Sequence, residues 1–208
     1  MIAALFVAAD GPYAIDGVDA WDVSRDARDY SGPWPVVAHP PCERWGRYWH
    51  GGPSAKERRV LGDDGGCFES ALRSVRRWSG ILEHPEASHA WRLFGLMKPP
   101  KSGGWVAAGD GLGWTCCVEQ GHYGHRARKA TWLYAVGVDL PSLRWGSSGS
   151  RGRLDRGYHS AEERAAARAA GERPLTSSRL TARECWETPV AFRDLLLGIA
   201  RTAKARAA

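Results

Sequence analysis

Pro35-Val36-Val37-Ala38-His39-Pro40-Pro41-Cys42 decides how the rest of the chain is read. Its first four residues are apolar and compact, which suits a short strand buried on both faces. Two prolines then stop any sheet ladder and stiffen the turn that carries Cys42. Downstream, 47–66 is rich in Gly, Lys, Arg and Asp and reads as a loop with a short helix. Over 67–79, Phe68, Leu72, Val75 and Trp78 recur at helical spacing, and Gly80 ends the helix. Ile81-Leu82 is a second short strand, running into Glu83-His84-Pro85. Strands alternating with helices argue for a mostly parallel sheet, and if these two strands are neighbours in it, Cys42 and Glu83 lie on one edge facing the same crevice.

Outward from that unit, 3–8 is an apolar first strand closed by the turn formers Asp10, Gly11 and Pro12. A second strand is expected at 18–21, followed by a mixed-charge stretch that opens with Asp22. Ser88 caps a short helix over 88–94. Gly and Pro make 97–113 a loop, and 115–119 and 131–138 are further strands. Gly, Ser and Arg dominate 146–157, which is linker composition or a phosphate-contacting loop. A helix over 160–170 has a capping box from Ser160 to Glu163. Thr188 and Pro189 open a final helix with Val190, Phe192, Leu195, Leu196 and Ile199 as its apolar contacts. The expected fold is therefore α/β, with a mostly parallel sheet flanked by helices. Residues 1–145 form its catalytic part, and 146–208 supply a basic loop and C-terminal helices packed on the same domain.

Composition sets the outer limits. At 208 residues and 43% hydrophobic, the chain can build one ordinary core. No apolar run approaches the ~18 residues needed to span a bilayer. The apolar start at 1–7 lacks a basic flank and reads as a strand rather than a signal peptide. A formal net charge of +6, with Arg and 11 Trp interleaved, favours a polyanion, nucleic acid foremost, over a merely solvated basic surface. The 5 Cys include no CxxC pair, so reduced thiols and a cytoplasmic location are expected. Cys116, Cys117, His122 and His125 lie close in sequence, but adjacent Cys residues suit a single zinc poorly, and no metal site is expected. The run 146–153 lacks the Gly-Lys-Ser/Thr ending of a phosphate-binding P-loop.

A thiol and a carboxyl facing one crevice define a chemistry. A thiolate adding at C6 of a pyrimidine makes C5 nucleophilic, and a carboxyl beside N3 and the 4-amino group holds the base and shares a proton with it. Arg side chains suit the base carbonyl and a flanking phosphate.

Three ordered motifs give that chemistry a family likeness. His39-Pro40-Pro41-Cys42 resembles the Pro-Cys nucleophile motif of cytosine-C5 DNA methyltransferases. Ile81-Leu82-Glu83-His84-Pro85 resembles their Glu-Asn motif, with His84 in place of Asn. The stretch from Tyr123 through Gly124, His125, Arg126, Ala127 and Arg128 to Lys129 resembles their Gln-x-Arg-x-Arg motif, with Gly124 where Gln is expected. The last of these is closest to compact phage-encoded relatives. The resemblance covers roughly 3–138. It implies a Rossmann-like fold, truncated relative to full methyltransferases, with Cys42, Glu83, Arg126 and Arg128 as catalytic residues. His39, Pro41, His84, Tyr123 and Lys129 would contact the substrate, DNA would be the partner, and phage DNA modification in a host cytoplasm the setting. It also implies S-adenosylmethionine as donor, against Phe6, Asp10, Gly11 and Asp22. In place of the family's Phe-x-Gly-x-Gly turn, however, 6–11 offers one glycine. Two other readings stay open: a non-catalytic nucleic-acid-binding protein derived from that fold, and a pyrimidine-modifying enzyme using another donor or free nucleotides.

Overall fold

The structure, a computed structural model, describes residues 1–51, 58–152, 154, 161–169 and 180–204. The expectations that rest on Ser160 and Arg153 fall outside these residues. Seven strands form one mixed sheet: β1 (Ile2–Leu5), β2 (Val18–Trp21), β3 (Val36–Ala38), β4 (Gly80–Pro85), β5 (Val106–Ala107), β6 (Trp114–Glu119) and β7 (Ala130–Val136), in the order β2-β1-β3-β4-β7-β6-β5. The helices are α1 (Cys67–Trp78), α2 (His89–Leu93), α3 (Ala161–Ala169), α4 (Ala182–Trp186) and α5 (Val190–Arg201).

Pairings from β2 to β4 are parallel, while β4–β7, β7–β6 and β6–β5 are antiparallel. The sheet is thus half antiparallel by pairing, which corrects the expectation of a mostly parallel one. The cause is local. The chain from β6 to β7 turns back over residues 120–129 through left-handed Gly124, at φ 97°, with no helix long enough for the crossover a parallel pair requires. β5, inside the stretch read as a loop, pairs through only two residues.

Both faces of the sheet are covered, and alternation along each strand assigns residues to one core or the other. Ala3, Leu5, Val36, Ala38, Leu82, Trp132 and Tyr134 pack with Phe68, Leu72 and Val75 of α1 and Trp91 of α2. Ile2, Ala4, Val37, Ile81, Leu133 and Ala135 pack with Phe192, Leu196 and Ile199 of α5 and with Tyr13. Cys116 and Cys117, neighbours on β6, point into these opposite cores. Asp64 starts α1 by accepting from the Phe68 and Gly66 amides while also accepting from the Trp45 indole at 2.7 Å, which ties the loop after Cys42 to the helix. Gly80 is where this packing needs a missing side chain. Its φ is +134°, and a Cβ there would lie 1.9 Å from the Val36 carbonyl oxygen of the neighbouring strand.

Pro189, rather than Thr188, caps α5: its carbonyl accepts from the Phe192 and Arg193 amides. Among the described residues no helix is long and apolar enough to cross a membrane.

Candidate functional site

β2 and β3 lie on opposite sides of β1, so the strand order reverses between β1 and β3. In open α/β sheets the crevice beyond the carboxyl ends of the strands at such a reversal is the habitual ligand site. Here Phe6 follows β1, His39 follows β3, Glu83 lies near the end of β4, Gln120 follows β6 and Lys129 immediately precedes the antiparallel β7. Five elements therefore deliver side chains to one edge.

The residues are linked by a half-buried line of polar contacts. Tyr13 Oη lies 2.7 Å from His39 Nε2, and His39 Nδ1 lies 3.0 Å from Glu83 Oε2. The carboxylate can only accept, so Nδ1 carries a proton; Nε2 accepts from the Tyr13 hydroxyl in the neutral ring and donates in the charged one. The other carboxylate oxygen, Oε1, accepts from the Gln120 amide at 3.3 Å, and that same nitrogen donates to Thr131 Oγ1 at 3.0 Å. Both oxygens of Glu83 are held. Burial raises its carboxyl, but the hydrogen bond and charge of His39 and the charge of Lys129 outweigh burial and hold it below the usual range.

Cys42 is exposed on the loop above this line. The protein mass around it, and then the Glu83 charge, push its thiol upward, while its own backbone amide and Lys129 pull the other way. Lys129 is the cation within electrostatic reach of both Cys42 and Glu83. It adopts a left-handed φ of 40°, uncommon for a residue with a side chain, and its Nζ donates to the Glu187 carbonyl at 2.7 Å. Burial pulls its ammonium down, against the charges of Glu83 and Cys42.

The remaining expected residues fall elsewhere. Pro41 is exposed beside Cys42. His84 alternates to the opposite face of β4, fully buried between the rings of Phe68 and Trp91, with Nδ1 2.8 Å from the Ser88 hydroxyl. Burial pushes it down to about 4, so it is a neutral core ring. The ring of Tyr123 packs on Phe192 in the α5 core. Arg126 pairs with Glu184, and Arg128 with Glu119, each with about half or more of its side chain exposed. Neither guanidinium is bonded to Glu83 or Cys42.

Tyr13, Gln120 and Thr131 belong to the site although motif reading passed over them. Tyr13 sits in a turn-rich stretch, where an aromatic gives no periodic signal. The segment around α4 was also missed. Thr181 and Glu184 form a true capping box there, and His125 Nε2 donates to the Glu184 carbonyl at 2.9 Å. With Arg126 on the Glu184 side chain and Lys129 on the Glu187 carbonyl, this segment is clipped against the β6–β7 loop.

For a methyl donor the crevice offers Phe6, half-buried at φ 59°, and Asp22 directly after β2. One oxygen of Asp22 already accepts from the Ser24 amide and hydroxyl. Asp10 is exposed, and Gly11 closes a tight turn in which a Cβ would meet the Ala8 carbonyl at 3.0 Å, so this glycine serves the turn. No helix joins β1 to β2, so neither a helix N-terminus nor a glycine cradle faces the crevice. These residues do not fit S-adenosylmethionine in the way the resemblance implies, and no step below is routed through it. No family model, curated protein or solved structure matches the chain.

Proposed function

We propose that the crevice binds a pyrimidine base, cytosine in DNA foremost, and that Cys42 adds to its C6. The observation carrying this reading is the juxtaposition at one sheet edge of the Cys42 loop after β3, the doubly held Glu83 carboxylate of β4 and the Lys129 ammonium before β7. A carboxylate fixed at both oxygens is a rigid acceptor for the 4-amino group and a proton partner for N3. Once a proton is shared between Glu83 and the base, the negative charge that raises the Cys42 thiol is reduced while the Lys129 charge remains. Base binding thereby prepares the nucleophile, whose thiol is held above the usual range in the free protein.

A base within a duplex must leave the stack to reach this edge. The half-exposed Arg126 and Arg128, next to Lys129 in sequence, would meet backbone phosphates by exchanging their Glu184 and Glu119 partners. Trp186, 77% exposed at the end of α4, adds an aromatic surface for an unstacked base. The parallel half of the sheet and the reversal at β1 support the Rossmann-like reading of the fold. Covalent trapping of Cys42 by DNA carrying 2-pyrimidinone tests the proposal.

The β1–β2 connection without a helix favours a second reading, a nucleic-acid-binding protein that keeps the pocket and performs no transfer. Under that reading the protein binds DNA with strong salt dependence, and no Cys42 adduct forms.

A further inference from the structure

We infer that Tyr13, His39 and Glu83 form a proton relay that supplies the ring nitrogen of the bound pyrimidine as Cys42 adds to the ring. The inference rests on the pyrimidine reading above and assigns the proton in it.

The addition fixes what the relay must do. Cytosine carries a conjugated path from N3 through C4 and C5 to C6. When the sulfur of Cys42 bonds to C6, the C5–C6 double bond opens, a C4–C5 double bond forms, and the electron pair from N3=C4 settles on N3. N3 must take a proton at that moment. Glu83 is the group placed to give one, yet in the free protein it is held as a carboxylate. The proton therefore has to come from behind it, and His39 lies there, its Nδ1 3.0 Å from Glu83 Oε2. Protonated His39 passes its Nδ1 proton to Glu83, Glu83 passes it to N3, and Nε2 keeps a proton shared with Tyr13, 2.7 Å away. The thiol proton released by Cys42 to solvent restores the charged imidazole. The sum is addition of S–H across C6 and N3, with no other reactant.

The surroundings of His39 suit this part. His39 and Glu83 are each 13% exposed in their side chains, so the proton path is screened but not sealed. Tyr13 is 2% exposed, and burial first and then the Glu83 charge keep its hydroxyl protonated well past the usual tyrosine range. It thus orients the ring without ionising, a positioning residue rather than a catalytic one. The other ionisable groups facing the line are Arg193 and Asp194 of α5, which act on Tyr13, and Lys129 and the neutral His84 ring beside Glu83. Arg193 is itself tied to the Pro12 carbonyl at 2.6 Å, one residue before Tyr13, so α5 buttresses the loop that carries the hydroxyl.

The test is the rate of adduct formation with 2-pyrimidinone DNA from pH 5.5 to 9, by quenched mixing and intact mass, for the unaltered protein, His39→Gln, Tyr13→Phe and Glu83→Gln. DNA binding and thermal melting are followed in parallel. General-acid assistance is worth roughly 100-fold or more. His39→Gln is expected to slow the adduct at least 10-fold and to abolish the fall in rate towards high pH. Tyr13→Phe, which keeps the ring volume, is expected to move that fall along the pH axis with a smaller loss of rate. Glu83→Gln should lose the adduct. If the unaltered protein forms the adduct and folded His39→Gln and Tyr13→Phe match it in rate and profile, the relay is wrong and the pyrimidine reading stands. If the unaltered protein forms no adduct, the pyrimidine reading falls and the relay with it.

Discussion

The hydroxyl of Tyr13, in the loop between β1 and β2, lies 2.7 Å from the ring of His39, which follows β3. This contact spans the point where the strand order reverses. It explains how a tight β1–β2 connection without a helix still contributes to the crevice: the loop sends one aromatic side chain under the site and seals it against α5. The same loop leaves little provision for a donor.

His84 gives the fold a pH-dependent weakness. Its ring is neutral when buried, with its proton affinity pushed down to about 4 from the usual 6.5. In the window between those values the unfolded chain binds the proton and the folded one does not, so stability is full above pH 6.5 and falls as pH drops towards 4. At about 1.4 kcal/mol per pH unit the loss is ~3 kcal/mol. Ser88, Glu83, Asp64, His39 and the Pro41 carbonyl are the polar groups bearing on this ring. Urea unfolding at pH 7 and pH 4.5 is expected to show this loss, reduced in His84→Asn after comparison at pH 7. Equal slopes in both proteins would remove His84 from the explanation.

Gly80 is the tightest point in the sheet. Alanine there would combine an unfavourable φ with a Cβ at 1.9 Å from a backbone oxygen that cannot move without breaking the β3–β4 pairing. Gly80→Ala is expected to lose roughly 3 kcal/mol or more, read by chemical denaturation. A loss below 1 kcal/mol would mean that β3 and β4 are spaced differently.

Much of this arrangement was legible in the residues. The apolar run before His39 and the helical spacing of Phe68, Leu72 and Val75 place β3 and α1 almost to the residue, while β4, read as Ile81-Leu82, extends over Gly80–Pro85 and takes in Glu83. The antiparallel half was not legible. Apolar strands buried on both faces read alike in either direction, and only the length of the β6–β7 turn distinguishes them. Side-chain direction was likewise hidden. His84 and Glu83 are neighbours in one motif, yet alternation sends one into a core and the other to the crevice. Arg126, Arg128 and Lys129 share a basic run, but the left-handed backbone at Lys129 is what brings that cation within reach of Cys42 and Glu83.

Lys129 is therefore expected to control the reactivity of Cys42. Removing the charge in Lys129→Met should raise the thiol further and slow alkylation of Cys42 by iodoacetamide at pH 8. Lys129→Arg should largely preserve the rate. Peptide mapping separates Cys42 from Cys67 and Cys185, the two partly exposed thiols among the five. Unchanged alkylation in Lys129→Met would show that the ammonium does not act on the thiol.

The most direct measurement is denaturing intact mass after incubation with DNA in which 2-pyrimidinone replaces cytosine, beside Cys42→Ala. This base accepts a thiolate at C6 without any donor, so the outcome does not depend on the methyl source. A protein–DNA adduct is expected that is absent in Cys42→Ala and maps to the peptide carrying Cys42. DNA that binds without forming an adduct across varied sequences would contradict it and leave the nucleic-acid-binding reading in its place.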